Sequence, residues 1–251
     1  MAINLKSLSK PDGSRPIIAT LFGEGGMGKT TLAAMFPKPV FIRTEDGTAS
    51  LVGNDGVSLF PLATSSQDVL DAIEALATEK HEFKTLVIDS ITQLATLIES
   101  EIVASDPKAK SINQAGGGYG AGYSTAAEKH RQIREWAGSL AYERGMNVIF
   151  IGHADTETMD LPDMDAFARY TVRMHKKSIP HYTDNCDLVG LIRLKTFVRG
   201  GEGDKKRAIS TGEREIICFP QASSVTKNRF NITEPLPFTF DGNPFSKFLA
   251  E

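Results

Sequence analysis

The sequence predicts an α/β fold with a mostly parallel sheet, helices on both faces of the sheet and a C-terminal antiparallel hairpin. Short apolar runs of strand length alternate along the chain with segments whose apolar residues recur at helical spacing. A glycine-rich loop joins the first apolar run to the first helical segment. Two further strand-like runs flank a turn-rich segment late in the chain. Strands that alternate with helices favour a parallel sheet covered on both faces.

The first half of the chain contains three predicted strands and three predicted helices. Residues 1–16 are polar, carry the turn signal Pro11-Asp12-Gly13, and are expected to form an N-terminal arm ahead of the domain. The predicted strands that follow are 17–22, 40–45 and 85–89. The predicted helices are 29–35, which ends near Pro37, a segment capped by Ser65 or Ser66 with Val69, Ile73 and Leu76 at helical spacing, and 91–105.

The second half begins with a glycine-rich stretch, residues 116–123, which interrupts the pattern. A predicted helix, 124–144, leads into a fourth strand, 147–151, that ends at Gly152-His153. Residues 154–182 are polar and of mixed charge. Strand-like runs at 188–198 and 215–219 flank the turn-rich residues 199–207 and predict the antiparallel hairpin. Because we find no internal repeat and no domain-sized linker, we expect residues 17–251 to form a single domain.

Composition excludes several classes of protein. The net charge of −3 provides no global positive field, so any nucleic-acid surface must be a local patch. The two cysteines, Cys186 and Cys218, lie in or beside apolar stretches, and the five histidines lack zinc-binding spacing. The amino terminus has no apolar signal core, and the apolar runs are too short to span a bilayer. We therefore expect a reduced, cytoplasmic protein with no membrane partner.

The glycine-rich loop fits the Walker A pattern in full, with the letters GEGGMGKT over residues 23–30. Glycines let successive backbone N–H groups converge on phosphate oxygens, and the following helix directs its positive dipole end to the same place. In such a loop Lys29 reaches the β- and γ-phosphates, and the Thr30 hydroxyl binds Mg²⁺. The pattern predicts ATP and Mg²⁺ as ligands of Gly23, Glu24, Gly25, Gly26, Met27, Gly28, Lys29, Thr30 and Thr31.

Polar residues follow three of the apolar strands, at the edge where ligands bind in open α/β sheets. Asp89 is the candidate Walker B residue, which holds a magnesium-bound water, unless it or Ser90 serves only to cap the next helix. Glu45 is the candidate base that orients the attacking water, the alternative being a surface turn. His153 is the candidate sensor of the γ-phosphate, the alternative being a buried histidine with a hydrogen-bond partner.

These residues resemble the RecA-type recombinases in kind and in order. Glu45 lies 16 residues after Lys29, and Asp89, the polar residue His153 and a late Lys-Asn-Arg over 227–229 follow in RecA order. RecA proteins usually have glutamine at the position of His153. The resemblance covers about residues 17–232. It implies that Lys227 and Arg229 reach the ATP of a neighbouring subunit, where an arginine is suited to stabilising the charge of the transferred phosphate.

A core of this size is similar to the small RecA-like ATPases of phages, which act as recombinases or ATP-linked single-strand annealing proteins. The resemblance implies a Mg²⁺-dependent, DNA-stimulated ATPase that acts on single-stranded DNA in homologous recombination or strand annealing. The implied partners are single-stranded DNA, further copies of the chain in a filament or ring, and a single-stranded-DNA-binding protein.

Two segments match the positions of the DNA loops of RecA proteins. Residues 116–123 offer Tyr119 and Tyr123 on a glycine frame, which suits stacking on unpaired bases. Residues 155–182 combine a basic run with aromatic residues, although 155–165 are acidic and would repel phosphate. The candidates for DNA binding in this second segment are Phe167, Arg169, Tyr170, Arg173, Lys176 and Lys177. The alternative for both segments is ordinary solvated surface.

Three other functions stay open. A ParA/MinD-type partition ATPase has a similar phosphate loop, but that family carries a lysine where this chain has Glu24. A hexameric helicase or helicase loader shares the RecA core. A non-hydrolysing, ATP-binding regulator would not require Lys29, Glu45 and Asp89 to be intact. Stimulation of the ATPase by single-stranded DNA, with annealing but no unwinding, would separate a recombinase from a helicase.

Overall fold

The computed structural model describes residue 8, residues 15–199 and residues 207–249. In these ranges the strands are β1 (Ile18–Gly23), β2 (Pro39–Arg43), β3 (Ser58–Leu62), β4 (Thr85–Asp89), β5 (Asn147–Met159), β6 (Phe167–Val172), β7 (Leu188–Arg199), β8 (Arg207–Ile217), β9 (Lys227–Asn228) and β10 (Leu236–Phe238). The α-helices are α1 (Lys29–Ala34), α2 (Ser66–Thr78), α3 (Ile91–Ser105), α4 (Ala121–Glu143) and α5 (Ile179–Thr183).

Eight of these strands form a continuous sheet in the order β10-β8-β7-β1-β5-β4-β2-β3, while β6 pairs with β5 and β9 pairs with β7. The six strands from β7 to β3 in this order are parallel to one another. The remaining four strands run antiparallel to their partners, and β7 with β8 is the predicted C-terminal hairpin. The α/β fold with a mostly parallel sheet is therefore confirmed.

Two apolar cores lie on opposite faces of the sheet. Successive residues of β1 alternate between them, because Ile18 and Phe22 belong to one core and Ala19 and Leu21 to the other. Helices α2, α3 and α4 cover the first face. Helix α1 and the C-terminal segment that contains Phe238 cover the second face. Burial on both faces explains why the parallel strands appear in the sequence as continuous apolar runs.

Side-chain caps fix where two helices begin. The Ser65 hydroxyl accepts the backbone N–H of Asp68, and the Asp68 carboxylate accepts that of Ser65, so α2 starts with a capping box. At α3 the Ser90 hydroxyl accepts the N–H of Gln93. Ser90 therefore caps α3 and leaves the Asp89 side chain available at the end of β4.

The interpretation of residues 155–182 as a loop is wrong. Strand β5 continues past His153 to Met159, and β6 returns antiparallel beside it, with Ala154 opposite Val172 and Met159 opposite Phe167. Helix α5 follows. Residues with high strand propensity, such as threonine, valine and tyrosine, form this hairpin, and its many polar residues reflect its exposed outer surface.

Other elements also differ from the sequence predictions, and β8, for example, begins at Arg207, eight residues before the predicted start at residue 215. Helix α4 begins at Ala121, three residues before the predicted start, because its N-cap Gly120 adopts the left-handed conformation (φ 79°). The last three residues of the glycine-rich stretch therefore belong to the helix. Strand β3 was not predicted. It is a largely exposed edge strand in which Pro61 interrupts the apolar residues Leu59, Phe60 and Leu62, and a proline within a run argues against a strand.

Most of the predicted N-terminal arm, and residues 200–206 of the turn-rich segment predicted between the two strands, lie outside the described residues. Where the description of the chain resumes, the Arg15 guanidinium donates a hydrogen bond to the buried carboxylate of Asp187. The other oxygen of Asp187 accepts the backbone N–H of Ile18 at 2.9 Å. Within the described ranges, no helix is both long and apolar enough to cross a membrane.

Candidate functional site

The carboxyl ends of the central parallel strands meet at one edge of the sheet. Gly23, the last residue of β1, is paired with His153 of β5. Asp89, the last residue of β4, is paired with Arg43, the last residue of β2, and Glu45 follows two residues later. The strand register therefore brings together the start of the glycine-rich loop and the three candidate residues that follow apolar strands. The paired residues, Gly23 with His153 and Arg43 with Asp89, are far apart in the sequence.

The glycine-rich loop curls around the Lys29 side chain. Gly26 and Gly28 have positive φ angles of 75° and 87°, which glycine adopts without strain. The Lys29 ammonium donates hydrogen bonds to the carbonyls of Gly23, at 3.0 Å, and Glu24, at 2.8 Å. Burial lowers the pKa of Lys29, and the nearby carboxylates oppose that shift. A buried cation at a helix N-terminus attracts an anion such as phosphate.

Thr30 and Asp89 place two oxygen atoms side by side. The Thr30 hydroxyl donates to the Asp89 Oδ2 at 2.7 Å. Burial raises the pKa of Asp89, and the hydrogen bond from Thr30 opposes that shift. Within the described residues, no group of three or more His, Cys, Asp and Glu side chains could hold a metal ion alone. One hydroxyl and one carboxylate fit Mg²⁺, which keeps several waters and takes its other ligands from phosphate oxygens.

Glu45 and His153 are in direct contact. The His153 Nε2 lies 3.2 Å from the Glu45 Oε1. The hydrogen bond from His153 lowers the pKa of Glu45, burial opposes the shift, and a further hydrogen bond from Ser90 adds to it. The backbone N–H of His153 donates to the Thr92 hydroxyl at 2.9 Å. Glu45 is thus held as a carboxylate at the sheet edge, and His153 fixes its orientation.

A cleft of about 530 Å³ lies at this edge. Six residues of the predicted phosphate-binding set line it, whereas Gly23, Glu24 and Met27 lie outside the lining. The full lining is Gly25, Gly26, Gly28, Lys29, Thr30, Thr31, Glu45, Asp46, Gly47, Ala49, Asp89, His153 and Phe240.

Phe240 is a residue of this cleft that the sequence reasoning missed. A Cβ on Gly28 would lie 2.5 Å from the Phe240 Cε1, so the ring rests directly against the glycine-rich loop. The Arg214 guanidinium lies 4.7 Å from the centroid of the same ring. Phe240 also lines a neighbouring cavity of about 590 Å³ that contains Arg214. No spacing in the sequence connects Phe240 to the loop, because the contact arises where the C-terminal segment passes over the second face of the sheet.

Lys227 and Arg229 lie at the opposite end of the sheet. Strand β9 pairs with the first two residues of β7, at the amino end of the parallel strands. The Lys227 ammonium donates to the Asp184 carbonyl, and Arg229 forms an ion pair with Asp187 at 3.0 Å. The length of β1, roughly 16 Å, separates this end from the loop that carries Lys29. The fold therefore does not bring these two cations to the cleft of their own chain.

The two segments predicted to bind DNA contact each other. Tyr119 is fully exposed, with a positive φ of 51°. The Tyr123 ring instead stacks on His175, with 3.7 Å between the ring centroids. The Lys177 ammonium donates to the Ser124 hydroxyl at 2.8 Å. The glycine-rich stretch and the segment after β6 thus form one continuous surface.

Three of the other DNA-binding candidates lie on β6. The Arg169 Nε donates to the Glu157 carboxylate across the hairpin at 3.0 Å. Tyr170 is half-buried, and its backbone N–H donates to the Ser223 carbonyl at 2.9 Å. Phe167 is half-buried near the outer end of the hairpin. These side chains are therefore held on a strand.

The last two candidates follow β6. Lys176 is exposed. The Arg173 guanidinium donates to the Ala154 carbonyl at 3.0 Å, which places it at the base of the β5–β6 hairpin.

Comparison with known families agrees with this geometry. A family model described as AAA domain matches residues 15–230. No curated protein matches the chain. The match covers most of the chain, from three residues before β1 to two residues after β9. The chain therefore belongs to the AAA domain family of nucleotide-binding ATPases.

Proposed function

We propose that this protein is a RecA-like ATPase that uses ATP and Mg²⁺ to act on single-stranded DNA in homologous recombination or strand annealing. The observation that carries the proposal is the continuity of β5. It passes through the edge of the nucleotide cleft at His153 and continues into the β5–β6 hairpin, whose following segment holds the exposed basic residues. A nucleotide-dependent change at His153 would therefore act on the strand that leads to the proposed DNA surface.

In the proposed mechanism, each residue of the cleft has one task. Lys29 binds the β- and γ-phosphates, and Thr30 and Asp89 hold Mg²⁺, which neutralises phosphate charge when it is bound. Glu45 accepts a proton from the attacking water at its carboxylate. His153 keeps that carboxylate oriented through the contact described above. The cation that completes the site comes from Lys227 and Arg229 of a neighbouring copy in a filament or ring.

The position of Phe240 supports a binding site for the nucleobase of ATP beside the phosphate cleft. Its ring adjoins both the phosphate cleft and the larger cavity beside it. An aromatic ring next to a phosphate loop offers an apolar face for a planar base. The proposed base therefore lies against Phe240, on the side of the loop away from the β5–β6 hairpin.

The proposed DNA surface is local, as the acidic net charge requires. Tyr119 supplies an exposed ring, and Lys176 and Lys177 supply positive charge beside it across the Tyr123–His175 stack. Aromatic rings beside cations suit a single strand, because its bases can stack on the rings and its phosphates can bind the positive charges.

The test compares ATP turnover and DNA binding with and without oligo-dT. We expect the single strand to stimulate turnover of the unaltered protein, and Glu45→Gln to lose turnover while it keeps ATP binding. The double variant Lys176→Ala/Lys177→Ala should lower the log–log salt slope of DNA binding by about 1.4, at about 0.7 for each phosphate contact. The matched control Lys80→Ala/Lys84→Ala removes two exposed lysines next to the amino end of β4 and should leave the slope unchanged.

Further outcomes separate the alternatives. Annealing of complementary strands without unwinding of a duplex supports the proposal, whereas ATP-driven unwinding would identify a helicase. ATP binding with neither turnover nor a response to DNA would identify a regulator and refute the proposal.

A further inference from the structure

Arg173 is joined to the nucleotide edge by both its backbone and its side chain. The β5–β6 pairing begins with Ala154 opposite Val172, and Arg173, the first residue after β6, donates its backbone N–H to the His153 carbonyl at 2.8 Å. Its guanidinium donates to the next carbonyl, that of Ala154, at 3.0 Å. These two bonds extend the contact between the two chains of the hairpin by one residue beyond β6, so Arg173 is the neighbour of His153 at the base of the hairpin.

The charges around Arg173 differ from those around Arg169 on the same hairpin. Arg169 is neutralised by Glu157, whereas Arg173 has no ion pair with a carboxylate in the described part of the chain. Three carboxylates line the cleft, and all are already engaged: Glu45 with His153, Asp89 with Thr30, and Asp46 with Arg43. A guanidinium has five N–H donors, so most of those on Arg173 stay available beyond the bond to the carbonyl.

The positive charge of Arg173 adds to the lowering of the Lys29 pKa, for which burial is the main cause. Like charges repel each other, and an anion bound between them relieves the repulsion. The terminal phosphate of the proposed nucleotide would lie in the cleft beside Lys29. A terminal phosphate offers three oxygens, enough to accept hydrogen bonds from both side chains.

We propose that Arg173 binds the terminal phosphate of ATP from within the same subunit and is not a contact to DNA. This inference rests on ATP as the nucleotide of the proposed function. Lys29 would hold the phosphates from the glycine-rich loop, and Arg173 would hold the γ-phosphate from the base of the hairpin. The root of the β5–β6 hairpin would then be fixed when a triphosphate is bound and released when a diphosphate remains.

The test is calorimetric titration with ADP and with the non-hydrolysable β,γ-imido analogue of ATP, both with magnesium. Arg173→Gln should weaken binding of the triphosphate analogue about tenfold or more, the loss expected for one charge-assisted hydrogen bond, and should change ADP affinity less than twofold. Arg173→Lys keeps the charge and should lose less. The matched control is Arg144→Ala, because Arg144 also donates to a single backbone carbonyl, that of Glu79, but lies at the end of α4 before β5 begins.

An unchanged preference for triphosphate over diphosphate in folded Arg173→Gln and Arg173→Lys proteins would overturn the inference. Equal losses for both nucleotides would also overturn it, because they would indicate a structural role. Loss of DNA affinity without a nucleotide effect would assign Arg173 to DNA instead. Failure of DNA to bind or to stimulate the unaltered protein refutes the proposed function but leaves this nucleotide comparison valid, so the two failures can be told apart.

Discussion

The imidazole of His153 holds the carboxylate of Glu45 at 3.2 Å, although 108 positions of sequence separate the two residues. The contact exists because β2 ends, and β5 leaves its parallel pairing with β1 and β4, at the same edge of the sheet on either side of β4. The hydrogen bond from His153 lowers the pKa of Glu45 and so favours the ionised form of the neighbouring carboxylate.

We expect the acidic limb of the pH–rate profile to depend on His153. The hydrogen bond from His153 lowers the pKa of Glu45, so Glu45 stays a carboxylate as the pH falls below its ordinary pKa of 4.5 and is protonated only near its lowered value. His153→Ala should move the acidic limb of kcat/KM to higher pH, whereas His153→Gln, which can still donate a hydrogen bond, should move it less. An acidic limb at the same pH in His153→Ala would show that Glu45 is not the titrating base.

Asp89 should reduce the stability of the protein when nucleotide and magnesium are absent. Burial raises the pKa of Asp89, so the ionised form costs free energy in the folded state at neutral pH, and stability is greater at low pH, where the group is protonated in both states. Asp89→Asn should therefore raise the melting temperature at pH 7 and abolish the effect of Mg²⁺ on nucleotide affinity. Asp55→Asn, at an exposed site, is the matched control. A lower melting temperature for Asp89→Asn would contradict the inference that the ionised Asp89 side chain destabilises the folded protein.

Three glycines of the phosphate loop should differ in their tolerance of alanine. Gly25 has neither a positive φ nor a neighbour within 4 Å of an added Cβ, Gly26 has only the positive φ, and Gly28 has both the positive φ and the close contact with Phe240. In chemical denaturation we expect Gly25→Ala to resemble the unaltered protein and Gly26→Ala to lose about 1–2 kcal/mol. Gly28→Ala should lose more, and Phe240→Ala should restore part of that loss. Equal losses at Gly26 and Gly28 would show that Phe240 does not press on the loop.

Mixing two inactive variants should restore ATP turnover. Lys227 and Arg229 lie at the amino end of the strands and Lys29 at the carboxyl end, so each proposed site draws on two copies. Lys29→Ala mixed with Lys227→Ala/Arg229→Ala should hydrolyse ATP, because some junctions combine an intact loop with intact cations. The control is Lys29→Ala mixed with the triple variant Lys29→Ala/Lys227→Ala/Arg229→Ala. This mixture should stay inactive, because neither copy has an intact loop. Turnover linear in protein concentration, without rescue, would indicate a site contained in one chain.

Much of the site could be predicted because its determinants are local in sequence. The loop over residues 23–30 is contiguous, and each candidate partner follows directly after an apolar strand. Parallel strands of one sheet end at a common edge, so residues of this kind meet there whichever strands are neighbours. The N-terminal cap of α2 and the extent of α3 could also be predicted from the local sequence, because the residues that determine them, Ser65 and residues 91–105, lie within or beside the helices.

The features that could not be predicted depend on tertiary contacts. Strand β5 is apolar only to Ile151, and its continuation to Met159 is stabilised by pairing with β6, which no periodicity of residues 154–182 reveals. Phe240 reaches the loop only because the C-terminal segment packs on the second face of the sheet. The intramolecular partners of Tyr123 and Lys177 were also hidden, because residues 116–124 and 175–177 come together only in the folded chain.

The opposed positions of Lys29 and Arg229 determine how many complete sites an assembly could contain. Each copy has one edge that would receive a cation and one end that would supply it, so copies that join in this way all point in the same direction. An open row has one junction fewer than it has copies, and the loop at one terminus has no donor. A closed ring has as many junctions as copies. Maximal turnover per copy would therefore be independent of assembly size in a ring, but would rise with length in a short row and level off as the row grows.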